Sequence, residues 1–98
     1  MTLVSSGDGG KGINCDEDVV FSGGTLTVAT TGGNEEAKPK GVKGDTGITV
    51  SGGSFTVNVM KSWACDNGTD SDTPADHVTV VGTPTSSTIE KKSVEIIF

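Results

Sequence analysis

Apolar and polar residues alternate in short runs along the first sixty positions, in Val19-Val20-Phe21, Leu26-Thr27-Val28, Ile48-Thr49-Val50 and Phe55-Thr56-Val57. Period-two alternation sends successive side chains to opposite faces and predicts short strands. Ser-Gly-Gly punctuation at 22–24 and 51–53 separates them, as expected of tight corners. A further alternating run, Ser93-Val94-Glu95-Ile96-Ile97-Phe98, predicts a terminal strand over 93–98. The pattern is that of an all-β chain.

The runs recur in phase. The eighteen residues from Lys11 to Val28 return without a gap from Lys40 to Val57, 29 residues on, with eight identities. Altered third-copy pieces follow: Trp63-Ala64-Cys65-Asp66 is similar to Ile13-Asn14-Cys15-Asp16, and His77-Val78-Thr79-Val80-Val81-Gly82 is similar to Gly47-Ile48-Thr49-Val50-Ser51-Gly52. An insertion lies between them, from Asn67 to Ala75. A fixed period of this length is the signature of stacked repeats, and altered terminal copies are what such a stack requires.

Two architectures fit the unit. Gly23-Gly24 suits a two-residue hairpin turn, and two hairpins make an antiparallel β-sandwich. Alternatively, the Gly pair is a corner between strands of one rung, and the copies wind into a short parallel β-helix of about three rungs. A hairpin does not explain why Lys11-Gly12 and Asp16, read as loop residues, recur in phase with the strands. Stacking explains both. The expected organisation is one β-solenoid domain over 1–98, with rungs at about 10–30, 39–59 and 61–83. Val19, Ile48 and Val78 form one inward column, Phe21, Val50 and Val80 another, Leu26 and Phe55 a third, Val28 and Val57 a fourth. Val20, Thr49, Thr79, Thr27 and Thr56 face outward. In this register Cys15 lies two rungs from Cys65, roughly twice the 4.8 Å strand spacing and beyond disulfide reach, so two free thiols are expected.

Composition narrows the function. The apolar share is 32%, with 15 Gly among 98 residues, too little for a thick core but enough to line a narrow interior. The formal charge is −6, with no Arg and no Tyr. An acidic chain is a poor match for phosphates, and bidentate phosphate forks and most aromatic stacking are missing, so nucleic acid is not expected as a partner. No segment has the length and apolarity of a membrane span, so membrane insertion is not expected.

Gly7-Asp8-Gly9-Gly10-Lys11-Gly12-Ile13-Asn14-Cys15-Asp16 with its Ser-Gly-Gly-Thr corner, and Lys38-Pro39-Lys40-Gly41-Val42-Lys43-Gly44-Asp45 with its Ser-Gly-Gly-Ser corner, resemble bacterial carbohydrate-binding-domain proteins with a pectate-lyase-like β-helix. The likeness covers about residues 7–60. It implies a right-handed winding and a secreted or bacterial cell-surface protein whose signal lies outside this chain. It also implies plant-type or acidic polysaccharide as ligand, with calcium along the helix.

The residues offer chemistry consistent with that. Asp16 and Asp45 occupy the same position in successive copies, and Asp66 extends the row. Stacked like charges either splay into water or hold a cation, and calcium takes carboxylate and carbonyl oxygens. Asp8, Glu17 and Asp18 are near in sequence. Asp70 and Asp72 sit in the oxygen-rich insertion, whose spacing is not that of an EF-hand. Lys11, Lys38, Lys40, Lys43 and Lys61 gather in one region of the repeat; they suit either uronate carboxylates or the protection of strand edges. Trp63 fits a core or capping position as well as a sugar-stacking platform, and His77 lacks the partners of a zinc site. No catalytic residues are assigned: a lyase base of the arginine type is absent, and no nucleophile elbow or phosphate loop is present. The expected function is non-catalytic, calcium-assisted polysaccharide binding. The competing expectation is a structural element that self-associates through its open end rungs, as a homo-oligomer.

Overall fold

The alternating runs become strands because their apolar members share one interior. The computed structural model describes residues 1–7, 10–32 and 38–98; Asp8 lies outside the described residues. Along the chain run β1 (Thr2–Ser5), β2 (Lys11–Cys15), β3 (Asp18–Phe21), β4 (Thr25–Thr30), β5 (Lys40–Gly44), β6 (Gly47–Val50), β7 (Ser54–Val59) and β8 (Trp63–Asp66), then a 3-10 turn at Pro74–His77, β9 (Thr79–Val80), β10 (Ser86–Ile89) and β11 (Ser93–Ile97). No helix among the described residues is long and apolar enough to cross a membrane.

The two copies pair strand for strand, in parallel, at the 29-residue offset. Lys11 lies opposite Lys40 and Ile13 opposite Val42 in β2–β5. Val19 lies opposite Ile48 and Phe21 opposite Val50 in β3–β6. Leu26 lies opposite Phe55 and Val28 opposite Val57 in β4–β7. The third copy continues one ladder as expected, with Thr79 opposite Thr49 and Val80 opposite Val50. Inward positions bury: Val28, Val50, Phe55 and Val57 are fully enclosed, with Ile48 at 1% exposure. Each such side chain contributes about 1.5–3 kcal/mol by leaving water. The Phe21 and Phe55 rings meet at 5.6 Å and 47°.

The interior is narrow, and this explains the recurring Lys-Gly pair. Gly12 and Gly41 are strand residues of β2 and β5, not loop residues. A Cβ on Gly41 would collide with Val57 Cγ1 and stand 2.7 Å from the Ala64 carbonyl oxygen; a Cβ on Gly12 would collide with Val28 Cγ1 and stand 2.8 Å from the Gly41 carbonyl oxygen. Only a hydrogen fits where these strands pass the β4–β7 sheet.

The expected fold class is corrected at this point. The strands do not form a parallel β-helix of three rungs or a β-solenoid; they lie in three separate sheets, in the orders β1-β4-β7-β11-β10, β2-β5-β8 and β3-β6-β9. The first sheet is mixed. After residue 83 the chain reverses, and β11 runs antiparallel to both β7 and β10, placing Val94 and Ile96 in the core beside Val57 and Phe55. The result is a globule with principal extents of 35 × 27 × 22 Å. The alternative sandwich of hairpins fails too, because β3 and β4, on either side of Gly23-Gly24, belong to different sheets.

The third copy is also shifted in one sheet. Trp63 lies opposite Lys40, Cys65 opposite Val42 and Asp66 opposite Lys43, two residues from the expected alignment of Cys65 with Gly44. Both cysteines are free, Cys65 buried and Cys15 partly so.

Candidate functional site

Sheet β2-β5-β8 places Lys11, Lys40 and Trp63 in one cross-strand row. Beyond β8 the insertion folds back over that row, and the two enclose an open cleft of about 560 Å³, within the range of small-ligand sites. Lys11, Lys38, Lys40 and Lys43 line one part of it, Asp66, Asp70 and Asp72 another, with Trp63, Thr69, Ser71 and His77 between. Four lysines thus face three aspartates, on a chain of net charge −6. Lys61 lies in the turn between β7 and β8 and does not line the cleft, nor do Asp16 and Asp45.

Two backbone turns aim this wall. Lys38 and Ser62 adopt left-handed conformations, φ 51° and 68°, uncommon for residues with a side chain. Ser62 is buried and its hydroxyl lies 3.4 Å from Lys40 Nζ. The same ammonium lies 3.3 Å from Asp66 Oδ2, while the Gly68 N–H donates to Asp66 Oδ1 at 2.9 Å. Partial burial pushes the Asp66 carboxyl up, but the Gly68 N–H and the Lys40 and Lys43 charges outweigh it and hold the group below the usual aspartate range. Lys40 itself is only 8% exposed.

The expected Asp ladder takes a different form. Because β8 is shifted, Asp66 sits beside Lys43 rather than beside Asp45. Lys43 pairs with Asp45. That hydrogen bond first, and the fields of Asp45, Asp66 and Asp16 after it, raise the Lys43 ammonium against the opposing effect of desolvation. The cation paired with Asp45 is therefore a lysine of the chain itself. Among the described residues no three His, Cys, Asp or Glu side chains converge as metal donors. Asp16, Asp45 and Asp66 do not fit a calcium cage, since calcium takes six to eight oxygen ligands and two of these carboxylates already face ammonium groups.

The insertion is built as a wall. Its side chains hold its own backbone: Asn67 Oδ1 accepts from Thr69 N at 3.3 Å, Thr69 Oγ1 from Ser71 N at 3.2 Å, and Ser71 Oγ from Thr73 N at 3.0 Å. Such local bonds are what Asn, Ser and Thr offer a turning backbone. The Ser71 hydroxyl donates to Asp76 Oδ2 at 2.6 Å. His77, 3% exposed, ties this wall to β8. Its Nδ1 lies 3.1 Å from the Cys65 carbonyl oxygen and its Nε2 2.7 Å from that of Ser71. Its ring stacks on the Trp63 indole at 3.8 Å and 11°, and Lys91 Nζ lies 5.4 Å from the Trp63 ring centroid. The stack occupies an indole face that a pyranose would need; Trp63 anchors the wall. Nothing in the repeat marks this pairing, because Trp63 and His77 belong to different strand positions and meet only through the insertion.

The family of carbohydrate-binding domain-containing proteins matches residues 2–83. The chain belongs to this family. Its match spans every residue that lines the cleft and stops before β10 and β11. No curated protein and no solved structure matches the chain, and a pectate-lyase-like likeness is not shown. Carbohydrate binding is the function that membership of the carbohydrate-binding domain-containing family supports.

Proposed function

We propose that the cleft between β2-β5-β8 and the insertion binds an acidic polysaccharide without turning it over. The observation that carries this reading is the meeting of Lys11, Lys38, Lys40 and Lys43 in one open cleft on a chain whose net charge is −6. The lysines gathered here attract a uronate polymer that the chain's net charge as a whole repels. Asp70 and Asp72 on the opposite wall accept from sugar hydroxyls, and Thr69 and Ser71 add neutral polar groups. Asp66 does not serve as a proton donor, because Lys40 and the Gly68 N–H favour its ionised form; a glycosidase needs a carboxyl held protonated.

Calcium has no step in this reading, since Asp66 faces Lys40 and Asp45 pairs with Lys43. Titration calorimetry against polygalacturonate, with a neutral glucan as control and each run repeated in EDTA, tests it. Saturable heat with polygalacturonate alone, unchanged by EDTA, is expected. Equal heat with the neutral polymer would overturn the acidic preference, and loss of heat in EDTA would return calcium to the site.

A further inference from the structure

A second cleft, of about 350 Å³, is lined by Met1, Ile13, Val19, Val20, Phe21 and Leu26, with Gly23, Gly24 and Thr25. It is apolar where the first is charged. β3 is an edge strand here, so one side of its backbone has no ladder partner among the described residues. Exposed edges in soluble proteins are usually blunted by short length, charged side chains, Pro or a bulge; β3 is short, with Asp18 at one end, but its central outward residue, Val20, is uncharged and 66% exposed.

We propose that this edge is a two-fold interface between copies of the chain, with β3 pairing antiparallel to β3 of a second copy. The residue pattern is self-complementary about Val20. That register sets Val20 against Val20, Val19 against Phe21 and Asp18 against Ser22 of the partner copy, keeping inward residues with inward residues as continuous pleating demands. Charge selects the same arrangement. Asp16, Glu17 and Asp18 lie at one end of β3 and the uncharged Ser22-Gly23-Gly24-Thr25 at the other. Antiparallel pairing brings each acidic end to a neutral one, whereas parallel pairing sets acid against acid. Two-fold pairing uses the β3 edge of both copies, so the contact closes on itself. A closed two-fold dimer is the consequence.

Sedimentation velocity of the full chain across a concentration series tests this, with the chain mass of 9.9 kDa as the unit. A reversible monomer–dimer equilibrium is expected, and Val20→Lys should leave a monomer with an unchanged thermal melt, since Val20 contributes little to the core. As a second readout, Cys15→Ser with Val20→Cys should cross-link into a covalent dimer under mild oxidant. Directly opposed antiparallel residues stand about 4.5–5.5 Å apart, within disulfide reach. A monomer at every concentration, an open-ended polymer, or a dimer that survives Val20→Lys would each overturn the proposal.

Discussion

The narrowness of the interior makes a sharp prediction at Gly41. Replacing it with alanine adds one methyl group, at a position whose backbone φ any residue tolerates, so only the space decides the result. The new Cβ stands 2.7 Å from the Ala64 carbonyl oxygen and collides with Val57 Cγ1. Val57 is fully buried and the other neighbour is backbone in a paired strand, so neither can step aside cheaply. Overpacking of a filled core costs about 1–3 kcal/mol, and two rigid neighbours put Gly41→Ala at the upper end, near ~3 kcal/mol. Gly23→Ala is the control: nothing lies within 4 Å of its Cβ position. Removing a glycine there restrains the unfolded chain and stabilises by about 0.4–1 kcal/mol. Urea denaturation of both variants, with slopes compared to the parent, reads the difference directly. On a chain of this size a loss of ~3 kcal/mol lowers Tm by roughly 12–24 °C. Gly41→Ala within about 0.5 kcal/mol of the parent would refute the claim that the paired strands leave no room for a methyl group.

Two further outcomes follow from burial and charge. Burial pushes the Cys65 thiol up to about 12, so alkylation of the native protein at mildly alkaline pH should modify Cys15 alone, with Cys65 reacting only after unfolding; mass mapping of the labelled peptides checks this. The Asp66 carboxyl is held below the usual aspartate range, so its contribution to stability is complete above the unfolded-state value near 3.8 and is lost as pH falls through the lower folded value. Asp66→Asn should therefore flatten the acid limb of stability against pH, and an acid limb identical to the parent would show that the Lys40 and Gly68 contacts carry no linkage.

Much of the strand pairing was legible because like residues stack on one another. The Val19/Ile48 and Leu26/Phe55 pairs follow directly from the 29-residue period. The third copy misled in β8 because the Cys-Asp dipeptide of 65–66 is similar to 15–16, whereas the fold is decided by space. Ala64 stands where Gly12 and Gly41 stand, the small residue of the row, and aligning on smallness gives the observed register. The reversal into β10 and β11 was not legible. A terminal alternating run shows a strand but not its direction, and that direction makes the first sheet mixed. The lysine cluster was legible from spacing, except for Lys61. Its closing wall was not, since the Trp63–His77 stack joins residues that no period relates.

The measurement that bears most directly on the cleft is the fluorescence of Trp63, the only tryptophan in the chain and a cleft-lining residue. Titration with galacturonate oligomers at low salt should change its emission saturably. Lys38→Ala with Lys43→Ala should weaken that binding by about 0.4–2 kcal/mol, on the scale of two exposed charge contacts, or roughly 2- to 30-fold. Binding seen by calorimetry that leaves the Trp63 emission untouched, or an affinity indifferent to both lysines, would contradict the assignment of saccharide binding to this cleft.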